Sequence, residues 1–183
     1  MSSALLVVAF LAAANPFRSR GSIPEEASGR ARLVPVLVGG ALLIGSVAAL
    51  AWWSGPMLRA LQITPETFKI AAGFVAVLAG GYAFVVPTPS TEPELAGWRA
   101  GVWPVWYPRL FAPEVMALAV TAGTGNGVAA SAGAAAVAVG GLLALVPVRG
   151  QVARRLVAWL GRILSAALVV VGIWLTIDGI RDV

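Results

Sequence analysis

Two short polar breaks hold the residues of this chain that could bind a solute. The first, Asn15-Pro16, follows the apolar run 3–14, and the second is the hexapeptide 122–127, Ala-Gly-Thr-Gly-Asn-Gly. A helix that stops at such a break leaves about four amides or four carbonyls without intrahelical partners. Free amides suit a carboxylate and free carbonyls suit an ammonium group, so these breaks predict binding of a zwitterionic solute.

The candidate substrate-binding residues all lie in these breaks or beside them. They are Asn15, Pro16, Thr121, Gly123, Thr124, Gly125, Asn126 and Gly127. The asparagines offer donors and acceptors without a net charge, and the threonines add hydroxyl groups. Ordinary turns are the alternative, since Asn, Gly and Pro are common turn residues. At the first break, where Arg18 follows at once, an ordinary turn and solute binding are equally favoured. At the second break, which apolar sequence flanks on both sides, solute binding is favoured over a turn.

The composition excludes several classes of protein. Of the 183 residues, 59% are hydrophobic and 11% are charged, whereas about a quarter are charged in an ordinary soluble domain. The chain has no histidine and no cysteine, which excludes a histidine base, a cysteine nucleophile, a disulfide and a Cys/His zinc site. We therefore expect a membrane protein that is not an enzyme and holds no cofactor or metal. The pI near 11.1 does not indicate a nucleic-acid partner, because long apolar stretches separate the basic residues.

The elements that must position the breaks are transmembrane helices. Crossing a hydrocarbon core of roughly 30 Å takes about 20 apolar residues in a helix. Four stretches meet that length: Leu33–Trp53, Phe68–Val86, Gly127–Val146 and Leu156–Ile180. Two shorter runs, Ser3–Ala14 and Leu110–Ala122, would form helices of roughly 20 Å that end at the breaks. The predicted fold class is an all-α membrane protein with six transmembrane segments.

The basic residues orient these six segments. With the N-terminus outside, the loops 15–32, 87–109 and 147–155 face inward and hold nine arginines, against two in the outer segments. This distribution follows the positive-inside rule. A cleaved signal peptide over residues 1–14 is the alternative, but the arginines follow the apolar run instead of preceding it. We expect a multi-pass protein of a prokaryotic plasma (inner) membrane, with both termini outside.

The six segments divide into two halves of three within one integral membrane domain. Repeat 1 covers residues 1–86 and repeat 2 covers residues 110–183, with an inner surface loop at 87–109. Each half begins with a short, broken helix, and an odd number of crossings places the halves in opposite senses. Inverted repeats with interrupted segments at matching positions are typical of secondary transporters. A basic residue also recurs at the start of each half's third helix, at Lys69 and Arg162.

The inner surface loop is rich in aromatic residues. Four of them lie close together: Trp98, Trp103, Trp106 and Tyr107. Amphipathic rings prefer the level of the lipid headgroups, so we expect this loop to lie along the inner membrane surface. Protein binding is the alternative role for these rings.

The few carboxylates lie near predicted helix ends. Glu66 follows Pro65 and Glu114 follows Pro113, which places each carboxylate in a first helical turn, where helix capping is the favoured role. Asp178 lies near the end of the last apolar run. Contact with water is favoured there over a proton relay.

Four segments together carry a family resemblance. They are the opening LLVVAFLAAANPF, the stretch ITPETFKIAAGFVAVLAGGYAF, Pro113 with the later AGTGNG, and the closing RILSAALVVVGIWLTIDGI. In these motifs the chain resembles the MarC family of small inner-membrane proteins, within a superfamily of amino-acid exporters. The resemblance implies six helices in two inverted repeats, and some members are regarded as neutral amino-acid transporters. It assigns the site to Asn15 and Pro16 and to the residues around Gly123 and Gly125.

The chain departs from the family pattern at both breaks. Arg18-Ser19-Arg20 and then Glu25-Glu26 follow the first break, where the family usually continues with glycine and an apolar stretch. At the second break, Thr124 occupies a position where proline is common, and Asn126 follows Gly125.

The predicted function is a secondary transporter of a small neutral solute that works by alternating access around the two broken helices. A neutral amino acid is the favoured substrate. The expected partners are the lipid bilayer and the solute, with H+ or Na+ as candidate coupling ions and a homo-oligomer as a further option. The alternative is a non-transporting membrane protein that assembles with a partner, or regulates one, through the aromatic inner loop.

Overall fold

A computed structural model describes residues 1–20, 29–86, 97–148 and 151–182. Eight α-helices are present in these ranges: α1 (Ser3–Ala14), α2 (Pro16–Ser19), α3 (Gly29–Ala60), α4 (Pro65–Val85), α5 (Trp98–Ala100), α6 (Pro113–Gly125), α7 (Val128–Leu145) and α8 (Gln151–Arg181). The segment Gly101–Leu110 follows α5 and is kinked, with extended backbone at Trp103 and Tyr107. Three stretches of the predicted inner loops lie outside the described residues: 21–28, 87–96 and 149–150, with Glu25, Glu26 and Arg149 among them.

Within the described residues, four helices are long and apolar enough to cross a membrane. Their qualifying ranges are Ala31–Ala60, Pro65–Val85, Val128–Leu145 and Arg155–Arg181. These ranges overlap the four long segments predicted from the sequence, and each of those predictions is confirmed. The protein is therefore all-helical over its described residues, with four helices suited to a bilayer.

Helix ends follow local sequence signals. Ser2 caps α1, with its Oγ accepting a hydrogen bond from the Leu5 amide at 3.4 Å. Thr64 caps α4 in the same way, and Pro65 and Glu66 occupy the first turn. Proline suits this turn because it lacks an amide proton, and the carboxylate suits the positive end of the helix dipole.

The second short helix is offset from the apolar run Leu110–Ala122. Helix α6 starts at Pro113 with Glu114 in its first turn, as the sequence predicted for these two residues, and it continues to Gly125, three residues beyond the run. Leu110 belongs to the preceding segment, and Pro113 fits the first helical position, where no amide donor is needed. At the other end, the backbone N–H of Asn126 donates to the carbonyl oxygen of Ala122 and closes the last turn, and the Thr124 hydroxyl donates to the carbonyl oxygen of Thr121 at 2.9 Å.

The two short helices contribute heavily to the hydrophobic core. Leu6 and Phe10 of α1 are almost completely buried, and so are Val115 and Ala119 of α6. The long helices instead expose large apolar side chains, among them Leu78 of α4 and Ile163 of α8. Apolar side chains that face outward suit contact with lipid.

Helices α4 and α8 pack closely and run antiparallel. A Cβ built on Gly73 would lie 2.6 Å from the carbonyl oxygen of Gly172, and one on Gly80 would lie 2.8 Å from that of Ser165. A Cβ on Gly179 would lie 2.9 Å from the carbonyl oxygen of Glu66. Small residues at these positions let the two backbones approach, which is the usual basis of helix packing in membranes.

Hydrogen bonds define one end of the helix bundle. Arg18 donates to the carbonyl oxygen of Val86 after α4, at 3.4 Å, and Arg20 donates to that of Leu145 at 3.3 Å. Arg32, near the start of α3, lies 3.5 Å from the carbonyl oxygen of Val146. The end of α1, the start of α3 and the ends of α4 and α7 therefore lie together. We call this the basic end.

Contacts at the opposite end involve the other termini of the same helices. The Asn126 amide, after α6, donates to the carbonyl oxygen of Met1 at 2.7 Å. Lys69 of α4 contacts Asp178 of α8 at 2.8 Å. Helices α1, α3, α4, α6, α7 and α8 thus run alternately between the basic end and the opposite end.

The helix contacts keep the same pattern when the two halves of the chain are exchanged. Helix α1 contacts α6, α3 contacts α7, and α4 contacts α8. The contact of α3 with α6 matches that of α1 with α7, and the contact of α4 with α6 matches that of α1 with α8. Most of the packing therefore joins one half to the other instead of holding each half together.

The aromatic inner loop is only partly exposed at the protein surface. Trp98, Trp103 and Tyr107 are exposed, whereas Val105 and Leu110 are completely buried. A Cβ on Gly39 of α3 would lie 2.9 Å from the carbonyl oxygen of Gly101. The 101–110 segment therefore packs into the basic end of the bundle, while some of its rings face outward.

Candidate functional site

The first break is built around a buried asparagine. Asn15 ends α1 with φ 36° and ψ 73°, a left-handed conformation that Asn tolerates better than most residues. Its Nδ2 donates to the carbonyl oxygen of Gly161 at 2.9 Å and to the Oγ of Ser165 at 3.2 Å. Its Oδ1 accepts from the Arg18 amide at 3.3 Å. Both amide protons of Asn15 are therefore engaged within the protein.

The Asn15 contacts form a small closed network on α8. The Ser165 hydroxyl also donates to the carbonyl oxygen of Gly161, at 2.9 Å. Both Asn15 and Ser165 are buried, with exposed fractions of 7% and 0%. Neither Gly161 nor Ser165 was singled out from the sequence as a site residue. The available signal is the pair of small residues four apart in an apolar helix, a spacing that favours close packing.

Pro16 directs the chain away from α1 at the first break. It is buried and begins α2, and a Cβ on Gly141 of α7 would lie 3.4 Å from its Cγ. The short helix α2 carries Arg18 into the basic end. The first break is therefore a tight turn packed between α7 and α8.

The second break is a two-residue connection between α6 and α7. The backbone N–H of Asn126 donates to the carbonyl oxygen of Ala122 at 2.7 Å, and the backbone N–H of Gly127 donates to the same oxygen at 3.1 Å. Gly127 has φ 82°, which glycine adopts without a steric penalty. Thr124 and Gly125 are exposed. This break therefore presents backbone and hydroxyl groups at the surface of the bundle.

The hydroxyl groups of α6 return to their own helix. Thr121 is buried and donates to the carbonyl oxygen of Ala117 at 3.0 Å. Gly123 lies against α3, where a Cβ would be 2.6 Å from the carbonyl oxygen of Ala51 and 2.7 Å from the Oγ of Ser54. Thr121 and Gly123 thus belong to the packed part of α6, and the accessible polar groups begin at Thr124.

The two breaks lie at opposite ends of α1. Asn15 directly follows its last residue, while Asn126 contacts Met1, just before its first turn. The 12 residues of α1 rise roughly 18 Å. The structure therefore places the predicted site residues in two groups, and a small solute would not reach both at once.

Arginines at the basic end cap the ends of other helices. Arg20 donates to the carbonyl oxygens of Leu145, the last residue of α7, and of Val148 beyond it, and Arg18 donates to that of Val86 after α4. Cations are favoured at helix C-termini, where carbonyls lack intrahelical partners. Burial, together with the nearby Arg109 charge, lowers the pKa of the Arg18 guanidinium. Sequence reasoning counted these arginines only as orientation signals.

A charged cluster joins α4 and α8 at the opposite end. The Lys69 Nζ lies 2.8 Å from the Oδ2 of Asp178 and 2.9 Å from that of Asp182. Lys69 therefore forms ion pairs with both carboxylates. Across the described ranges, no group of three His, Cys, Asp or Glu side chains is placed to hold a metal ion.

Comparisons with protein-family models, curated proteins and solved structures gave no match for this chain. The resemblance to the MarC family therefore depends on the short motifs alone. The class of protein follows from the helices themselves: over the described ranges the chain is all-helical, with four helices long and apolar enough to span a membrane.

Proposed function

We propose that this protein is a secondary transporter of a small neutral solute, with a neutral amino acid as the preferred substrate class and membership of the MarC family as the proposed relationship. The observation that carries the proposal is the placement of the two short helices. Both α1 and α6 lie in the core of the bundle, and each ends in a polar break. Interrupted helices in such positions are typical of solute sites in secondary transporters.

The proposed architecture is six membrane segments in two inverted repeats. Support comes from the alternating direction of the six helices and from the helix contacts that persist when the halves are exchanged. On α3, the 21-residue interval from Arg32 to Trp53 rises roughly 31 Å, close to the thickness of a hydrocarbon core. In a prokaryotic inner membrane, the basic end would face the cytoplasm and both termini would lie outside.

The separation of the two breaks suggests how alternating access would work. A solute entering from the basic end meets the surroundings of Asn15 first, and one entering from the other side meets Thr124 to Gly127. Helix α1 connects these places and is held at both ends by hydrogen bonds. Because most packing lies between the halves, alternating access would require these contacts to rearrange so that one entrance opens while the other closes.

The polar groups near the breaks favour an uncharged or zwitterionic solute. The buried polar side chains within or in contact with the breaks, Asn15, Ser165 and Thr121, carry no charge, whereas the buried Arg32 lies against the carbonyl oxygen of Val146. Backbone amides and carbonyls at the second break would bind a carboxylate and an ammonium group. A proton or Na+ gradient is the candidate driving force.

Flux measurements in liposomes test this proposal. Purified protein should move at least one labelled neutral amino acid faster than empty vesicles do, and a proton or Na+ gradient should change the rate. A panel of charged amino acids serves as the specificity control. Failure to move any solute of the panel above the empty-vesicle rate would contradict transport.

The second candidate function is assembly with a partner protein through the aromatic loop. The exposed rings of Trp98, Trp103 and Tyr107 favour it. Replacing these three rings with serine should abolish partner binding under this function and leave flux intact under the first. Val105 and Leu110 must be kept, because both are buried in the core and their loss would unfold the loop.

A further inference from the structure

The first turns of α8 carry an exposed stripe of two arginines and a tryptophan. Arg155, Trp159 and Arg162 are all exposed. Their spacings of four and three residues place them on one face of the helix. Trp159 has an exposed fraction of 64%, and the apolar neighbours Leu156 and Ile163 reach 60% and 56%. This face therefore combines positive charge with surface that suits acyl chains.

Arg162 differs from the basic residue at the matching position of the first half. Lys69 contacts two carboxylates, Asp178 and Asp182, on the neighbouring helix. For Arg162, the described parts of the chain contain no hydrogen bond or ion pair. A guanidinium on the outer face of an apolar helix needs an anion, because an isolated charge is costly next to lipid.

The depth of Arg162 suits an anion at the membrane surface. Tryptophan prefers the headgroup level, and Arg162 lies three residues further along α8 than Trp159, or roughly 4.5 Å. An arginine side chain spans that distance, with its stem against apolar surface and its head at the phosphates. Arg155 lies on the other side of Trp159, toward the basic end.

We propose that Arg155, Trp159 and Arg162 form a binding site for the phosphate group of an anionic phospholipid at the basic end of the bundle. The guanidinium groups of Arg155 and Arg162 hold the phosphate, and the indole of Trp159 lies against the headgroup region. Leu156 and Ile163 contact the acyl chains. The site faces outward from α8 and does not depend on the proposed transport function.

Lipid binding by the purified protein in detergent tests this site, with phosphatidylglycerol compared against phosphatidylcholine of equal chain length by native mass spectrometry. The wild-type protein should bind phosphatidylglycerol more tightly. Each basic residue near an anionic lipid contributes about fivefold in affinity, so R155Q/R162Q should weaken phosphatidylglycerol binding about thirtyfold. Phosphatidylcholine, whose choline cation already neutralises its phosphate, should lose much less affinity, and an unchanged thermal midpoint shows that the variant is folded.

Matched variants separate this site from a general charge effect. R59Q removes an exposed arginine from the last turn of α3 at the opposite end and should leave lipid affinity unchanged. R162K keeps the charge and should keep most of the affinity. Equal binding of the two lipids by the wild-type protein, or full retention in R155Q/R162Q, would overturn the proposal. Displacement of the lipid by millimolar inorganic phosphate would also overturn it, because the site would then take a free anion.

Discussion

The side-chain amide of Asn15 donates to the carbonyl oxygen of Gly161 at 2.9 Å and so joins the end of α1 to α8, across almost the whole length of the chain. The same amide donates to the Ser165 hydroxyl. Because Asn15 also adopts left-handed backbone angles, one residue ends the helix, turns the chain and binds the two halves together. The first break is therefore a structural junction as well as a candidate entrance.

The two roles of Asn15 can be separated by substitution. N15G should lower the free energy of unfolding by about 1 kcal/mol, because it loses buried hydrogen bonds but keeps the left-handed backbone. N15A should lower it by about 2 to 3 kcal/mol, since it also forces alanine into that conformation. Unfolding in mixed micelles measures both values. Equal stability of N15A and N15G would show that the backbone angle carries no cost.

Gly123 and Gly125 should respond differently to alanine, although both are candidate site residues. G123A should cost about 1 to 3 kcal/mol, because its Cβ would lie 2.6 Å from the Ala51 carbonyl oxygen. G125A meets no atom within 4 Å and should leave stability unchanged or raise it by up to about 1 kcal/mol. Flux measured beside stability then isolates function: loss of transport in a stable G125A protein would assign solute binding to the second break. Destabilisation by G125A would contradict the open surroundings of Gly125.

The ion pairs of Lys69 with Asp178 and Asp182 should contribute little to the stability of the wild-type protein. The side chains are partly exposed, at 21% for Lys69 and 34% for Asp178, and exposed ion pairs are worth about 0.2 to 1 kcal/mol. K69M should therefore change the thermal midpoint only slightly, whereas K69D places a third carboxylate beside Asp178 and Asp182 and should lower it more. The exchange K69D/D178K should restore part of the loss. Its failure to do so would show that the two side chains do not interact.

Side-specific labelling tests whether the short helix α6 crosses the membrane. The chain has no native cysteine, so single cysteines at Tyr107 and Thr124, before and after α6, can be labelled without background. Both positions are exposed. A membrane-impermeant maleimide should reach Y107C only from the cytoplasmic side and T124C only from outside, and permeabilised membranes should allow both. Labelling of both from the same side would contradict six segments.

Part of the fold could be predicted from local sequence. The four long helices follow from apolar length alone, and α1 ends where Asn15-Pro16 interrupts the apolar run. Proline and glutamate at 113–114 indicated the start of α6, whereas its end at Gly125 lies beyond the apolar run. Apolar length predicts that a helix exists better than it predicts where the helix ends.

The sequence could predict which residues belong to the candidate site, but not which other residues they contact. The sequence identified Asn15 and Asn126 as polar residues in breaks, and the structure gives each a hydrogen bond to a distant part of the chain. Gly161, Ser165 and Met1 carry no sequence signal that names them as those partners. Sequence reasoning also gave Lys69 and Arg162 the same role, whereas Lys69 is paired with carboxylates and Arg162 faces outward.

The sequence by itself determined the class of element, because hydropathy, proline and glycine act on the chain locally and leave little choice but apolar helices with breaks at 15–16 and 122–127. Only the tertiary structure decided which helices meet. Packing of α4 on α8, of α3 on α7 and of α1 on α6 joins distant parts of the chain, and between α4 and α8 the two backbones approach closely at Gly73 and Gly80. That packing also places the two breaks at opposite ends of α1. The position of a helix end in the bundle depends on which helix surfaces fit together, and residue types alone do not specify this.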